Sequence, residues 1–134
     1  MITKKYIDDL AYSVIGLAIE VHKQLGPGLL ESVYEECLFA ELIENGYQVQ
    51  KQTALPIIYK NQSIGNAFRI DILVANQIIV ELKATENMIP LYEAQLLTYM
   101  KLAQKPKGIL INFNTTQITK HLKQFVNEYY AQLP

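Results

Sequence analysis

One cysteine, Cys37, is all that the 134-residue sequence contains. An internal disulfide is thereby excluded, and a lone thiol cannot build a structural zinc site. Within ESVYEECLFAEL, Cys37 reads as a small hydrophobe on a buried helix face. Histidine is scarce as well: His22 and His121 are remote in sequence, so no pair stands at metal-ligand spacing. No apolar run approaches the roughly 20 residues of a membrane helix. The stretch MITKKYIDDLAYS has neither the apolar segment nor the small-residue cleavage site of a secretory leader. The expectation is a soluble, cytoplasmic protein. Charge is balanced, at net −1, which removes the simplest case for a polyanion-binding surface. Residues 100–134 nevertheless carry Lys101, Lys105, Lys107, Lys120 and Lys123 against Glu128 alone, while residues 1–99 hold seven basic and twelve acidic side chains. That basic third either faces a polyanion or forms a solvated lysine-rich surface. Repeats, linkers and low-complexity segments are also missing. The chain, half of it hydrophobic, is therefore expected to fold as one domain over residues 1–134 with a core of its own.

What is present is a clear sequence of periodicities. Leu10, Ala11, Val14, Leu17, Ala18, Val21 and Leu25 recur at steps of three and four, which predicts an amphipathic helix over 5–25. The GPG at 26–28 stops it. A second helix is expected over 30–45, with Val33, Tyr34, Cys37, Leu38 and Leu42 on one side and a terminating Asn45-Gly46. From Tyr47 to Ala84 β-branched and aromatic residues dominate, with turn signals at KNQS and ANQ, so three strands in a meander are predicted. Pro56 marks the first of them as an edge or a bulged strand. A helix over 90–104, opened by Pro90, a strand GILINF at 108–113 and a final helix over 116–130 complete the order ααβββαβα. This is an α/β chain of the mixed-sheet kind, a central sheet flanked by helices.

The segment FRIDILVANQIIVELKA, residues 68–84, sets Asp71, Glu81 and Lys83 inside apolar strands. Side chains alternate faces along a strand, so Glu81 and Lys83 point the same way. Asp71 joins them only when the connecting loop has an odd number of residues. The loop Ala75-Asn76-Gln77 pairs Val74 with Ile78, hence Asp71 with Glu81, their Cβ atoms about 5 Å apart. Two carboxylates so close, in apolar surroundings, require a proton or a cation. Mg²⁺ or Mn²⁺ suits them, with water and substrate phosphate completing the shell and Lys83 reaching the water or phosphate beside it. A structural salt bridge between Lys83 and one carboxylate is the alternative.

Asp71, nine residues, then Glu81-Leu82-Lys83 resembles the core motif of the PD-(D/E)XK nuclease superfamily, although Ile70 stands where the family name has proline. GLLESVY at 28–34 resembles the Gly-x-x-Glu-x-x-Tyr signature of the small GxxExxY proteins of that superfamily. The similarity extends through AIEVHKQLGPGLLESVYEECL, RIDILVANQIIVELKA, EAQLLTYMKL and GILINF, in order along nearly the whole chain. The resemblance implies a restriction-endonuclease-like core and a metal-dependent nuclease acting on nucleic acid, DNA ahead of RNA, with Mg²⁺ or Mn²⁺ as cofactor. It allows a homodimer and gives no membrane role. It makes Asp71 and Glu81 metal ligands, Lys83 the catalytic lysine, Glu31 the helical acid of the site, and Gln95 and Tyr99 the Gln-x-x-x-Tyr pair of the following helix. Glu20 and His22 also match the pattern, His22 as a group behind the site. Gln95 and Tyr99, four apart, share a helical face whatever their role. Glu31 also suits the dipole of a first helical turn, and Tyr34 and Tyr99 also suit a core. A catalytically silent nucleic-acid-binding or protein-interaction module on the same fold is the alternative function.

Overall fold

The computed structural model describes residues 1–134 apart from the side chains of Asn66 and Ala67. Helix α1 (Lys4–Leu25) begins at Thr3, whose hydroxyl accepts from the Tyr6 N–H, and it buries Leu10, Ala11, Val14, Ala18 and Val21. Helix α2 (Glu31–Glu44) packs beside it and buries Tyr34, Leu38 and Leu42. The strands β1 (Val49–Tyr59), β2 (Gln62–Val74) and β3 (Ile78–Lys83) form the expected meander. Pro56 acts as anticipated: β1 lies at the sheet edge and its register shifts between Leu55 and Pro56. Helix α3 (Pro90–Ala103) then crosses over to β4 (Lys107–Asn112), which pairs with β3 in parallel.

The helix expected over 116–130 does not form. A single 3-10 turn at Ile118–Lys120 is followed by β5 (Leu122–Val126), antiparallel to β4, and by a short helix α4 (Glu128–Ala131). The spacing of Ile118, Leu122, Phe125 and Val126 is helical, but β4 is buried along its whole length and would otherwise present unpaired backbone groups on its outer side. Pairing with β5 satisfies them, and this tertiary demand outweighs local periodicity. Asn127 ends the strand: its carboxamide oxygen accepts from the Tyr129 and Tyr130 N–H groups and its amide donates to the Lys105 carbonyl.

The result is a mixed five-stranded sheet in the order β1-β2-β3-β4-β5 with an apolar layer on each face. On one face α1 and α2 cover Ile72, Val74, Ile78, Val80, Leu82, Ile109 and Ile111. On the other, α3 lays Leu96 and Met100 over Ile70, Leu73, Ile79 and Leu110. Cys37 is half-buried against the first layer, as its sequence context suggested. Helix α3 rides close to β4 because Gly108 has no side chain; a Cβ there would stand 2.6 Å from the Met100 sulfur and 2.9 Å from Leu96 Cδ1. Among the described residues no helix is long and apolar enough to cross a membrane.

Candidate active site

The loop Ala75-Asn76-Gln77 pairs Val74 with Ile78, Leu73 with Ile79 and Ile72 with Val80. Ala75 and Asn76 take the left-handed backbone this turn needs, at φ 50° and 57°. Past Ile72 and Val80 the ladder stops. In its place the two acids reach into the gap: the Asp71 N–H donates to Glu81 Oε1 at 3.3 Å, and the Leu82 N–H donates to Asp71 Oδ2 at 3.0 Å. Each carboxylate thus caps backbone that the parting strands would leave bare.

Strict alternation fails here. Ile72 faces α1 and α2, yet Ile70, two residues earlier, packs with Leu73 and Ile79 under α3. The strand therefore rotates at Asp71. On β1 the position between the Lys51–Ile72 and Thr53–Ile70 pairs belongs to Gln52, whose φ of 52° is unusual for a residue with a side chain. That conformation accompanies a 2.7 Å hydrogen bond from Gln52 Nε2 to Glu35 Oε1.

Several ionisable groups around Asp71 lie within its field. Glu81 is 8% exposed. Burial first, and repulsion from Asp71 second, push its carboxyl up to about 9, against partial relief from Lys83. Glu31, the first residue of α2, is raised by partial desolvation and then by Asp71, with Lys83 opposing. Tyr99 is raised by burial and by the charges of Glu81 and Asp71. Glu31 on α2 and Tyr99 on α3 both lie within the field of Asp71.

Lys83 forms no ion pair among the described residues; its ammonium lies 4.3 Å from the centre of the Tyr92 ring. The structural salt bridge is therefore not what holds it. The Tyr99 ring stacks on Phe68 at 4.0 Å. Gln95 is half-buried one turn before Tyr99 on α3. At the exit of β3 the buried Asn112, paired in register with Lys83, accepts from the Thr85 N–H and donates to the Thr85 carbonyl, fixing the chain just beyond the lysine.

His22 and Glu20 stand apart from these groups. The imidazole Nε2 of His22 bonds the Thr115 carbonyl at 2.6 Å, and Glu20 accepts from Gln24 on its own helix. Tyr34 holds the GPG turn in place. Its hydroxyl donates to the Gly26 carbonyl at 2.6 Å and accepts from the Leu29 N–H at 3.2 Å, while its ring stacks on Phe113. Glu31 thereby emerges from the turn at a fixed place. The sequence reading missed Glu35. It is buried, and burial raises its carboxyl further than the repulsion of Asp71 and Glu31 does, with the Gln52 hydrogen bond and Lys51 opposing. Its spacing of four from Glu31 was the available signal.

A family model for the PD-(D/E)XK nuclease superfamily matches residues 8–125. The chain belongs to the PD-(D/E)XK nuclease superfamily. Its mixed sheet flanked by helices agrees with that fold. No curated protein and no solved structure matches the chain significantly. PD-(D/E)XK nucleases generally use divalent metals, and the donor set is suited to one. Asp71 and Glu81 are adjacent hard oxygen donors whose repulsion a cation would relieve. Among the described residues no three His, Cys, Asp or Glu side chains gather in metal-holding geometry.

Proposed function

We propose that the chain is a metal-dependent nuclease hydrolysing phosphodiester bonds in DNA, with RNA as the second candidate substrate, and that it is one of the GxxExxY proteins of the superfamily. The observation that carries this reading is the Asp71–Glu81 pair, interlocked through backbone hydrogen bonds where β2 and β3 part. The two carboxylates would hold Mg²⁺ or Mn²⁺. When bound, such an ion lowers the pKa of a coordinated water and neutralises charge on phosphoryl oxygens. Lys83, steered by the Tyr92 ring, donates to a non-bridging phosphate oxygen. Glu31, with its raised proton affinity, takes a proton from the attacking water. The Tyr99 phenol and the Gln95 amide orient the phosphate from α3. In support of the GxxExxY assignment, Gly28 adopts φ 97° and Tyr34 clamps the turn from which Glu31 is delivered.

The test is cleavage of single-stranded, duplex and branched DNA and RNA in Mg²⁺ or Mn²⁺. The wild type is expected to cut at least one substrate and to stop in chelator. Asp71→Ala should lose roughly 100-fold or more, the scale of one preorganised electrostatic contact. Undiminished cleavage by Asp71→Ala would overturn the assignment. A wild type inert on every substrate would leave a silent binding or interaction module on this fold.

A further inference from the structure

Beside the acidic pair the sheet carries a feature that the chemistry above does not use. A cavity of about 240 Å³ opens between the start of α3 and the β4–β5 ladder. Its floor is apolar, formed by Met88, Ile89 and Leu110, and its wall is cationic or imidazole, formed by Lys120, His121 and Lys123. Leu110 is the register partner of Glu81 on the neighbouring parallel strand, so the floor of the cavity adjoins the acidic pair. Glu93 also lines the cavity and lies one residue after Tyr92, the ring under the Lys83 ammonium.

The chemistry of the lining selects a ligand class. A duplex turns its phosphates outward and hides the faces of its bases, so an apolar floor would go unused. A single strand offers both a base face and flanking phosphates, and an imidazole is among the side chains on which unpaired bases stack. The cavity is too small for paired strands and suits one base. We propose that it holds one unpaired base of a single-stranded nucleic acid, against His121 and the apolar floor, with Lys120 and Lys123 on the adjoining phosphates. Two of the five lysines of the basic C-terminal third are thereby given a partner. Lys123 is already held by Glu93 at 3.2 Å, so an incoming phosphate must compete with that carboxylate. This proposal rests on the reading of the chain as an enzyme of nucleic acids.

Fluorescence anisotropy in chelator, where no cleavage intervenes, tests it with three probes of equal phosphate number: an oligothymidylate, the same length of abasic strand, and a duplex. The wild type should prefer the oligothymidylate. His121→Ala should weaken that probe roughly five- to 150-fold, the range for losing one base–aromatic stack, and leave the abasic strand little changed. Lys120→Ala should weaken both single strands and lower the slope of log affinity against log salt by about 0.7, the value for one phosphate contact on a single strand. Glu93→Gln should tighten binding by releasing Lys123 and removing a like charge. Equal wild-type affinity for the oligothymidylate and the abasic strand would overturn the base pocket, as would weakened binding in Glu93→Gln. The two readings fail separately. Base-selective binding without cleavage in Mn²⁺ would sink the nuclease and spare the pocket, and cleavage without base selectivity would do the opposite.

Discussion

Glu81 carries opposing demands under the proposed function, since it is buried against apolar strands and faces Asp71, yet to hold a metal it would have to be ionised. Its carboxyl is raised to about 9 in the folded chain, whereas an unfolded glutamate titrates near 4.3. Between those values the native state holds a proton that the unfolded chain has released. The stabilisation is therefore complete below the unfolded value and fades as pH rises towards 9. Metal-free protein should accordingly melt at progressively lower temperature from pH 5 to pH 9, with a slope from this group of at most about 1.4 kcal/mol per pH unit. Glu81→Gln should flatten that decline in melts followed by circular dichroism. Because a cation must displace the same proton, Mn²⁺ affinity measured by calorimetry should rise with pH in the same window. The three charges were legible in the sequence because they broke apolar runs, and the odd loop correctly paired Val74 with Ile78. The rotation of the strand at Asp71 was not legible, since simple alternation assumes that every residue continues the ladder. Here the ladder ends one residue short, and the side chains take over the bonding.

Among the elements, those marked by local signals were readable: α1 by its three-and-four spacing, α2 by the GPG and Asn45-Gly46 that bound it, α3 by Pro90, and the meander by its β-branched residues and turns. The segment that became β5 was not, because Ile118, Leu122, Phe125 and Val126 satisfy a helix as well as they satisfy an edge strand. What decides it is the unfilled side of β4, a fact of tertiary structure. Glu35 was overlooked for a related reason: a glutamate beside another glutamate on a helix reads as solvated surface until the β1–β2 hairpin covers it. The placement of α3 depends on Gly108, and with it the placement of Tyr92, Gln95 and Tyr99. Gly108→Ala should force Met100 and Leu96 outward and cost about 1–3 kcal/mol in urea denaturation, the usual range for overpacking a core. Ala at the exposed Gly16 on α1, where a Cβ meets nothing within 4 Å, should instead stabilise by several tenths of a kcal/mol. A loss at Gly16 as large as that at Gly108 would show that the close approach of helix and strand is not the cause.

At the scale of the whole molecule the balanced net charge conceals an ordered distribution. Asp71 acts on three neighbouring carboxyls, Glu31, Glu35 and Glu81. Lysines flank them on the β5 side, where Lys120 and Lys123 line the neighbouring cavity. An acidic centre beside a basic rim is what the proposed cation and nucleic acid would each need, and overall composition averages it away. Under the proposed function the Asp71–Glu81 pair holds a divalent cation rather than bracing the sheet. Thermal melts of wild type and Asp71→Asn, each in chelator and in millimolar Mn²⁺, test it most directly. Asparagine retains an oxygen to accept the Leu82 N–H, so the substitution removes charge more than structure. In chelator, Asp71→Asn is expected to be as stable as the wild type or slightly more so. Mn²⁺ should stabilise the wild type, by about 2.7 kcal/mol at one hundred times its dissociation constant, and the variant far less. A variant destabilised by about 3 kcal/mol, with Mn²⁺ moving neither melt, would contradict the claim and make the pair a structural one.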